Sequence, residues 1–504
     1  MFFSKFFRLE RCILPTIIAL ATFLRFWNLK YNPLWYGDEG INLNLAMNAI
    51  EGHPQLDAIK YPFLPHAPLF MSIVGFLLKI FGNDILVLRS VTATLGVLTV
   101  PAVYLLGSEL LDRKAGLLTA FFYAILPLPV LYSRWGFDYN ILSFTLPLTC
   151  LLFLRYFKRK QLKCLLSGGF LYSASLIANY LAASLFPALI IAVLFYDRKR
   201  NVFTLVGLTM IFPLLLLADM FIFLPKELLF DTVYLQNGIW NAGVMYFESL
   251  QGFFFNQMQT PMDFYAIILG FMGMLALPLL AKGKSSRIAT LFFVTAFFIT
   301  LRVFIIHGPH IHGVLHFYPY IALGLAALIY SPYRKVRILR LHSVFTVTAP
   351  LLLIAIVSGY SIFAINYDYR SVVYGYSTPI DSLCLKSPSD AYMLAEWINS
   401  HTTRENIVIA SPHYAWLLKC RTADILQSVV AGGKPTVFYP ILPADRFAYN
   451  CSYVNAKYFI FDSFVVNWSS YQLNANEIVE GVLKNWNPVY AVGEYVVYQN
   501  PRLS

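Results

Sequence analysis

Long apolar runs alternate with short polar breaks along most of this chain. The runs near 12–29, 84–107, 115–132, 139–157, 163–178, 180–196, 202–224, 263–281, 287–306, 313–331 and 343–365 approach the ~20 residues a helix needs to cross a bilayer, and predict about eleven transmembrane helices. One more run, 67–81, is short for a span. The basic residues decide how to read it. If 67–81 does not cross, Arg113-Lys114, Lys158-Arg159-Lys160, Arg198-Lys199-Arg200, Lys282/Lys284/Arg287 and Arg334/Lys335/Arg337/Arg340 all fall on one side. The opposite loops then hold almost no Lys or Arg, as the positive-inside rule requires. The 67–81 run therefore predicts a re-entrant or juxtamembrane helix, with the N-terminus cytoplasmic and the C-terminus outside.

The pattern changes after about Phe363. It predicts a transmembrane domain over 1–365 with outer loops 30–83 and 225–262, a linker over 366–388, and a small α/β extracytoplasmic domain over 389–504. In that last region helices fit 389–400 (capped by Ser389 or Asp390) and 474–486, with helical patches near 413–432. Strands fit 406–411 and 457–462, and 489–498 reads as a hairpin turning at Gly493.

Composition narrows the class. Of 504 residues 58% are hydrophobic and 13% charged, which excludes an ordinary soluble domain. The net charge of +12 comes from clusters between apolar runs, a loop pattern and not a nucleic-acid groove. Lys5, Arg8 and Arg11 precede the first run, and no small-residue cleavage site follows, so it reads as a retained anchor. Of the six cysteines, Cys384, Cys420 and Cys451 fall in the C-terminal region and allow at most one internal disulfide there.

Candidate chemistry centres on Trp35-Tyr36-Gly37-Asp38-Glu39-Gly40, the first polar stretch after the first run. A carboxylate in mid-bilayer costs roughly 2.5–3.5 kcal/mol, so such groups lie at an interface or line a functional cavity. Under the expected topology other polar groups gather on the same outer face: Arg89, the loop Ser133–Tyr139 with Arg134 and Asp138, Asp219, Arg302, and His307, His310, His312 and His316. Each has a bland reading, as a snorkelling arginine, a solvated turn or a local ion pair. Together they fit a cavity where a carboxylate takes a proton from an attacking hydroxyl and cationic groups steady a departing phosphate. No spacing specifies a metal ion, although His307, His310 and His312 are candidate ligands for a divalent one.

These residues resemble the polytopic GT-C glycosyltransferases of the protein O-mannosyltransferase and aminoarabinose-transferase type, over roughly residues 10–330. The family's Asp-Glu pair is matched by Asp38-Glu39, and its His-Pro-Pro-Leu by His66-Ala67-Pro68-Leu69, with Ala for the first Pro. Its Arg-Leu is approximated by Arg89-Ser90, and its Ser-Arg with a following Asp by Ser133-Arg134 and Asp138. Where many relatives read Arg-Tyr-Leu-Leu-Pro, this chain has His316-Phe317-Tyr318-Pro319. The resemblance implies a polyprenyl-phosphate sugar donor, Asp38 as base with Glu39 beside it, and an inverting displacement. It implies donor-phosphate contacts from His66, Arg89, Arg134, Arg302 and His316, with Asp138 and Asp219 supporting. The acceptor, whether lipid, glycan or protein, does not carry over. Two other classes stand beside this reading: a carrier that flips a lipid-linked saccharide without chemistry, and a non-catalytic envelope assembly protein, for which Asp38 would be dispensable.

Overall fold

The computed structural model describes residues 2–51, 58–59, 67–196, 199–226, 228–229, 261–280, 290, 294, 315–338, 344–376, 385–437 and 439–503. They fall into two compact units. One comprises Met1–Asn28, Thr92–Arg134 and Asp138–Tyr376; the other comprises Leu29–Val91, Trp135–Phe137 and Ser377–Ser504.

The first unit is helical. Helix α1 covers Phe2–Phe26, and most of α4 (Ile85–Leu110) belongs here. The segment expected as one span over 115–132 is two helices, α5 (Arg113–Ile125) and α6 (Pro127–Arg134), bent by 57°. Pro127 supplies the cause, since its ring and missing N–H interrupt the helical ladder. Asp112 caps α5 by accepting from the N–H groups of Lys114 and Ala115, both at 3.0 Å. Then come α7 (Tyr139–Arg159), α8 (Leu162–Ala178), a 3₁₀ turn, α9 (Phe186–Tyr196) and α10 (Lys199–Phe223). The helices Pro261–Leu280 and Tyr318–Ile338 pack backbone to backbone: a Cβ on Gly273 would stand 1.8 Å from the Gly324 carbonyl oxygen. Small residues permit this approach where helices associate in lipid.

Three helices among the described residues are long and apolar enough to cross a membrane, or four with the bent pair as one span, against the eleven expected. Shorter apolar helices occupy other expected positions, including Cys12–Phe26, Leu162–Ala178 and Leu315–Tyr330. The expected span 287–306 lies almost wholly outside the described residues, as does the outer loop 225–262. At one end of the bundle Glu109, near the close of α4, pairs with Arg155 (3.4 Å), Lys158 (3.5 Å) and Arg159 (3.0 Å), near the close of α7.

The second unit joins the loop after α1 to the C-terminal residues. Strand β1 (Trp35–Tyr36) runs directly into α2 (Gly37–Glu51), and α3 follows over Pro68–Phe81. Antiparallel to β1 lies β2 (Leu385–Lys386), with Trp35 opposite Lys386 and Tyr36 opposite Leu385. Within the expected linker 366–388 the helix Val344–Tyr374 covers the start, β2 lies near the end, and 377–384 fall outside the described residues.

Beyond it stands a five-stranded sheet in the order β4-β3-β5-β7-β6. Strands β3 (Ile407–Ile409), β4 (Arg421–Ala423) and β5 (Tyr458–Phe461) are parallel, and β6 (Asn487–Val492) and β7 (Tyr495–Gln499) add antiparallel to β5. Gly493, at φ +54°, makes the hairpin turn where it was expected. The helical patches expected near 413–432 are the helices Pro412–Ala415 and Ile425–Ala431, with β4 between them. The helix Pro388–His401 begins after its N-cap Ser387, two positions before Ser389 and three before Asp390, the expected caps. Ile409, Ala423, Leu426, Phe459, Val479 and Val482 belong to the core, and Ala58, from the segment between α2 and α3, is buried with them. The Ala448 N–H donates to the Ala58 carbonyl at 2.8 Å, beside an Ile59–Phe447 bridge.

Candidate active site

The two adjacent carboxylates separate because the helix starts between the strand and the pair. Gly37 opens α2, which places Asp38 and Glu39 in its first turn, where the exposed N–H groups favour negative charge. Glu39 points inward and has no solvent exposure. Its carboxylate accepts from Arg89 Nε (2.7 Å) and Nη2 (2.7 Å), from the Tyr36 N–H (3.1 Å) and from the Gly136 N–H (2.8 Å). Gly136 reaches it because it lacks a side chain: a Cβ there would stand 2.3 Å from Leu88. Asn42, one turn further along α2, donates to the Gly136 carbonyl at 2.8 Å.

Arg89, expected to meet a donor phosphate, turns its N–H groups to the protein instead. Besides Glu39 they reach the carbonyls of Leu29 (2.9 Å), Pro33 (2.8 Å) and Leu34 (3.2 Å). All five guanidinium donors are engaged and the side chain is fully buried. In this geometry Arg89 is a clamp that ties Glu39 to the loop preceding β1. Asp38 is only half-buried. Of two carboxylates one residue apart, one is locked into the framework and the other stands at its edge.

The other expected residues divide as follows. In the first unit Arg134 is buried and donates to the carbonyls of Leu24 (2.8 Å) and Trp27 (2.7 Å), closing the end of α1. Asp138 is buried and accepts from Asn179 at 2.7 Å. Asp219 is exposed near the end of α10. His316 is buried, and its Nδ1 has no hydrogen-bond partner among the described residues. His66, Arg302, His307, His310 and His312 lie outside the described residues. No metal-holding cluster of His, Cys, Asp and Glu occurs among the described residues.

Sequence reasoning passed over residues of the C-terminal region that reach the same unit. Lys386, buried on β2, lies 3.6 Å from Asp462 and 3.0 Å from Glu494. Asp462 also accepts from Ser411 Oγ (2.6 Å) and Tyr414 OH (3.2 Å). Glu494 is desolvated, which raises its pKa, but hydrogen bonds from Ser463 and Lys386 outweigh this and hold it below the ordinary range. Asn83, just after α3, donates to the Trp416 carbonyl at 2.8 Å. No local pattern marks these partners, because the burial of Lys386 is set by the fold and not by periodicity.

Residues 65–225 match the family described as dolichyl-phosphate-mannose-protein mannosyltransferase. An uncharacterised protein of Aquifex aeolicus (strain VF5) is 30% identical over 175 residues, which is 34% of this chain and 32% of that protein. The chain thus spans about a third of that relative. Among solved structures, the Archaeoglobus fulgidus oligosaccharyltransferase with Zn and sulfate superposes at a TM-score of 0.60 with 17% identity, covering 97% of this chain and 73% of that one. ArnT from Cupriavidus metallidurans bound to undecaprenyl phosphate superposes at 0.60 with 10% identity, covering 98% of each chain. The chain shares the fold of these two solved structures, in line with what the motif resemblance implied.

Proposed function

We propose that this protein is an integral-membrane glycosyltransferase that moves a sugar from a polyprenyl phosphate to an acceptor hydroxyl on the extracytoplasmic side. The observation that carries the reading is the unequal pair: Glu39 buried in its clamp, Asp38 half-buried beside it. A base must meet its substrate, whereas a neighbour with four hydrogen bonds fixes the backbone on which the base rides. Support comes also from the partial family match and from the likeness to a structure bound to undecaprenyl phosphate.

In the proposed reaction the acceptor oxygen attacks the anomeric carbon as the carbon–oxygen bond to the phosphate breaks. Asp38 takes the hydroxyl proton, and the polyprenyl phosphate leaves with the electron pair, so the anomeric configuration inverts. The phosphate contacts are assigned to His66, Arg134, Arg302 and His316; Arg89 acts through Glu39. Asp138 and Asp219 keep a supporting assignment. The arrangement in the cell membrane is N-terminus inside and C-terminal domain outside. The pairing of Glu109 with the basic end of α7 supports it, because it brings together two chain segments assigned to the cytoplasmic face.

The test is single-turnover transfer with a panel of undecaprenyl-phosphate-linked hexoses and pentoses, reading released undecaprenyl phosphate. Asp38→Asn keeps the shape and removes proton acceptance, so turnover falls by about 10²–10⁴-fold while donor binding survives. A wild-type protein that turns over none of the panel, or an Asp38→Asn variant at the wild-type rate, defeats the reading.

A further inference from the structure

Immediately before Asp38, Gly37 faces a side chain from the far end of the sequence. A Cβ built on Gly37 would stand 3.1 Å from His413 Cε1 and 3.3 Å from Nε2. The imidazole therefore rests against the glycine, and a methyl group there would require the ring to shift by a few tenths of an ångström. His413 is 1% exposed. On its other side the Phe464 ring meets it edge-on, centroids 5.5 Å apart at 78°.

The turn that carries His413 is itself held firmly. Ser411 caps the short helix Pro412–Ala415 in a reciprocal box with Tyr414. Both of those side chains also donate to Asp462, which lies 3.6 Å from the buried Lys386. Trp416 Nε1 donates to the His413 carbonyl at 2.9 Å. One step along α2, a Cβ on Gly40 would fall 1.7 Å from the Pro412 carbonyl oxygen. The turn 412–413 thus lies on the one face of α2 that its two glycines leave bare.

We infer that His413 is a positioning residue for Asp38: its imidazole fixes Gly37 from one side while Arg89 fixes Glu39 from the other. Asp38 then stands between two neighbours that are each held by a separate part of the chain. Such a base loses little freedom when the acceptor arrives, because its backbone is already ordered. This inference rests on the proposed role of Asp38. It gives the C-terminal domain a part in catalysis without requiring it to touch the sugar.

The experiment has an arm that needs no turnover. In a Cys12→Ser, Cys384→Ser background, Asp38→Cys is labelled with a small methanethiosulfonate reagent, with and without His413→Ala. Loss of the imidazole should change the labelling rate several-fold, and Gly37→Ala, which pushes the ring away, should do the same. The two effects should not add, since the space left by His413→Ala accepts the Gly37→Ala methyl. Unchanged labelling in both variants overturns the inference.

The second arm uses Asp38 intact and the undecaprenyl-phosphate sugar panel. His413→Ala should lower kcat by about 10- to 100-fold with KM for donor unchanged, and added imidazole should restore part of it. A purely structural histidine would instead lower the melting temperature and leave the kcat of the folded fraction intact, which also overturns the inference. If the wild type turns over no donor, the transferase reading fails, and the labelling arm still decides whether His413 positions residue 38.

Discussion

Gly40 and Pro412 approach so closely that the glycine hydrogen occupies the only space available, with a virtual Cβ 1.7 Å from the proline carbonyl oxygen. Backbone cannot yield as the tip of a side chain does. Gly40→Ala should therefore force α2 and the 412–415 turn apart, at a cost of about 1–3 kcal/mol as for other overpacked sites. Thermal unfolding of the purified protein checks this, and an unchanged melting temperature would place the two segments apart.

Arg89 and Glu39 form a buried pair, and removing one partner leaves the other charged and unpaired. Arg89→Met should destabilise by about 3–5 kcal/mol. Glu39→Gln should also destabilise, because two guanidinium donors lose their charged acceptor. The double variant Arg89→Met with Glu39→Gln should lose less than the sum of the single changes. Denaturation of all four proteins supplies the cycle; strict additivity would show that the pair does not interact.

Asp424 gives a pH signature. Burial raises its carboxyl to about 6 even though the N–H groups of Gln427 and Leu426 oppose the rise. Its ordinary value is 3.8, so between there and about 6 the folded chain holds the proton and the unfolded chain does not. Stability contributed by this group is therefore present below that window and lost as pH rises through it. Asp424→Asn keeps an oxygen to cap the helix Ile425–Ala431. It should be more stable than wild type by of order 1 kcal/mol above the window, and no more stable below it. A stability difference independent of pH would contradict the assignment.

Cys420 and Cys451 are buried free thiols, and burial pushes the Cys420 thiol up to about 11. The disulfide left open by the sequence does not join these two; Cys384 lies outside the described residues. Maleimide should leave both thiols unlabelled in the native protein and label both after unfolding without reductant. A link between them that only reductant opens would refute this.

The membrane arrangement has its own check. Single cysteines introduced beside Lys160 and beside Trp468 should be labelled by an impermeant reagent from opposite faces of sealed vesicles. Labelling of both from the same face would reverse the proposed topology.

By itself the sequence determined the membrane class and most of the helices, and it put forward the one-sided basic clusters and the Asp38-Glu39 pair as expectations. All of these follow from local composition and period, which depend on near neighbours in the chain. It also placed β3, β5 and the turn at Gly493, since alternation and a left-handed glycine are local signals. It missed β4, where Arg421-Thr422-Ala423 lacks the apolar β-branched run that marks Ile407–Ile409, and it joined α5 and α6 across Pro127 because apolar content hides a bend. Only the tertiary structure decided which carboxylate is buried in a clamp and which is half-buried at its edge. That choice rests on Arg89, on the Gly136 N–H and on three carbonyls, none of which is marked in sequence as a partner of Glu39. The same holds for His413 and Gly37: residues distant along the chain meet because β1 pairs with β2 and a glycine leaves room, and burial of that kind is a property of the folded chain alone.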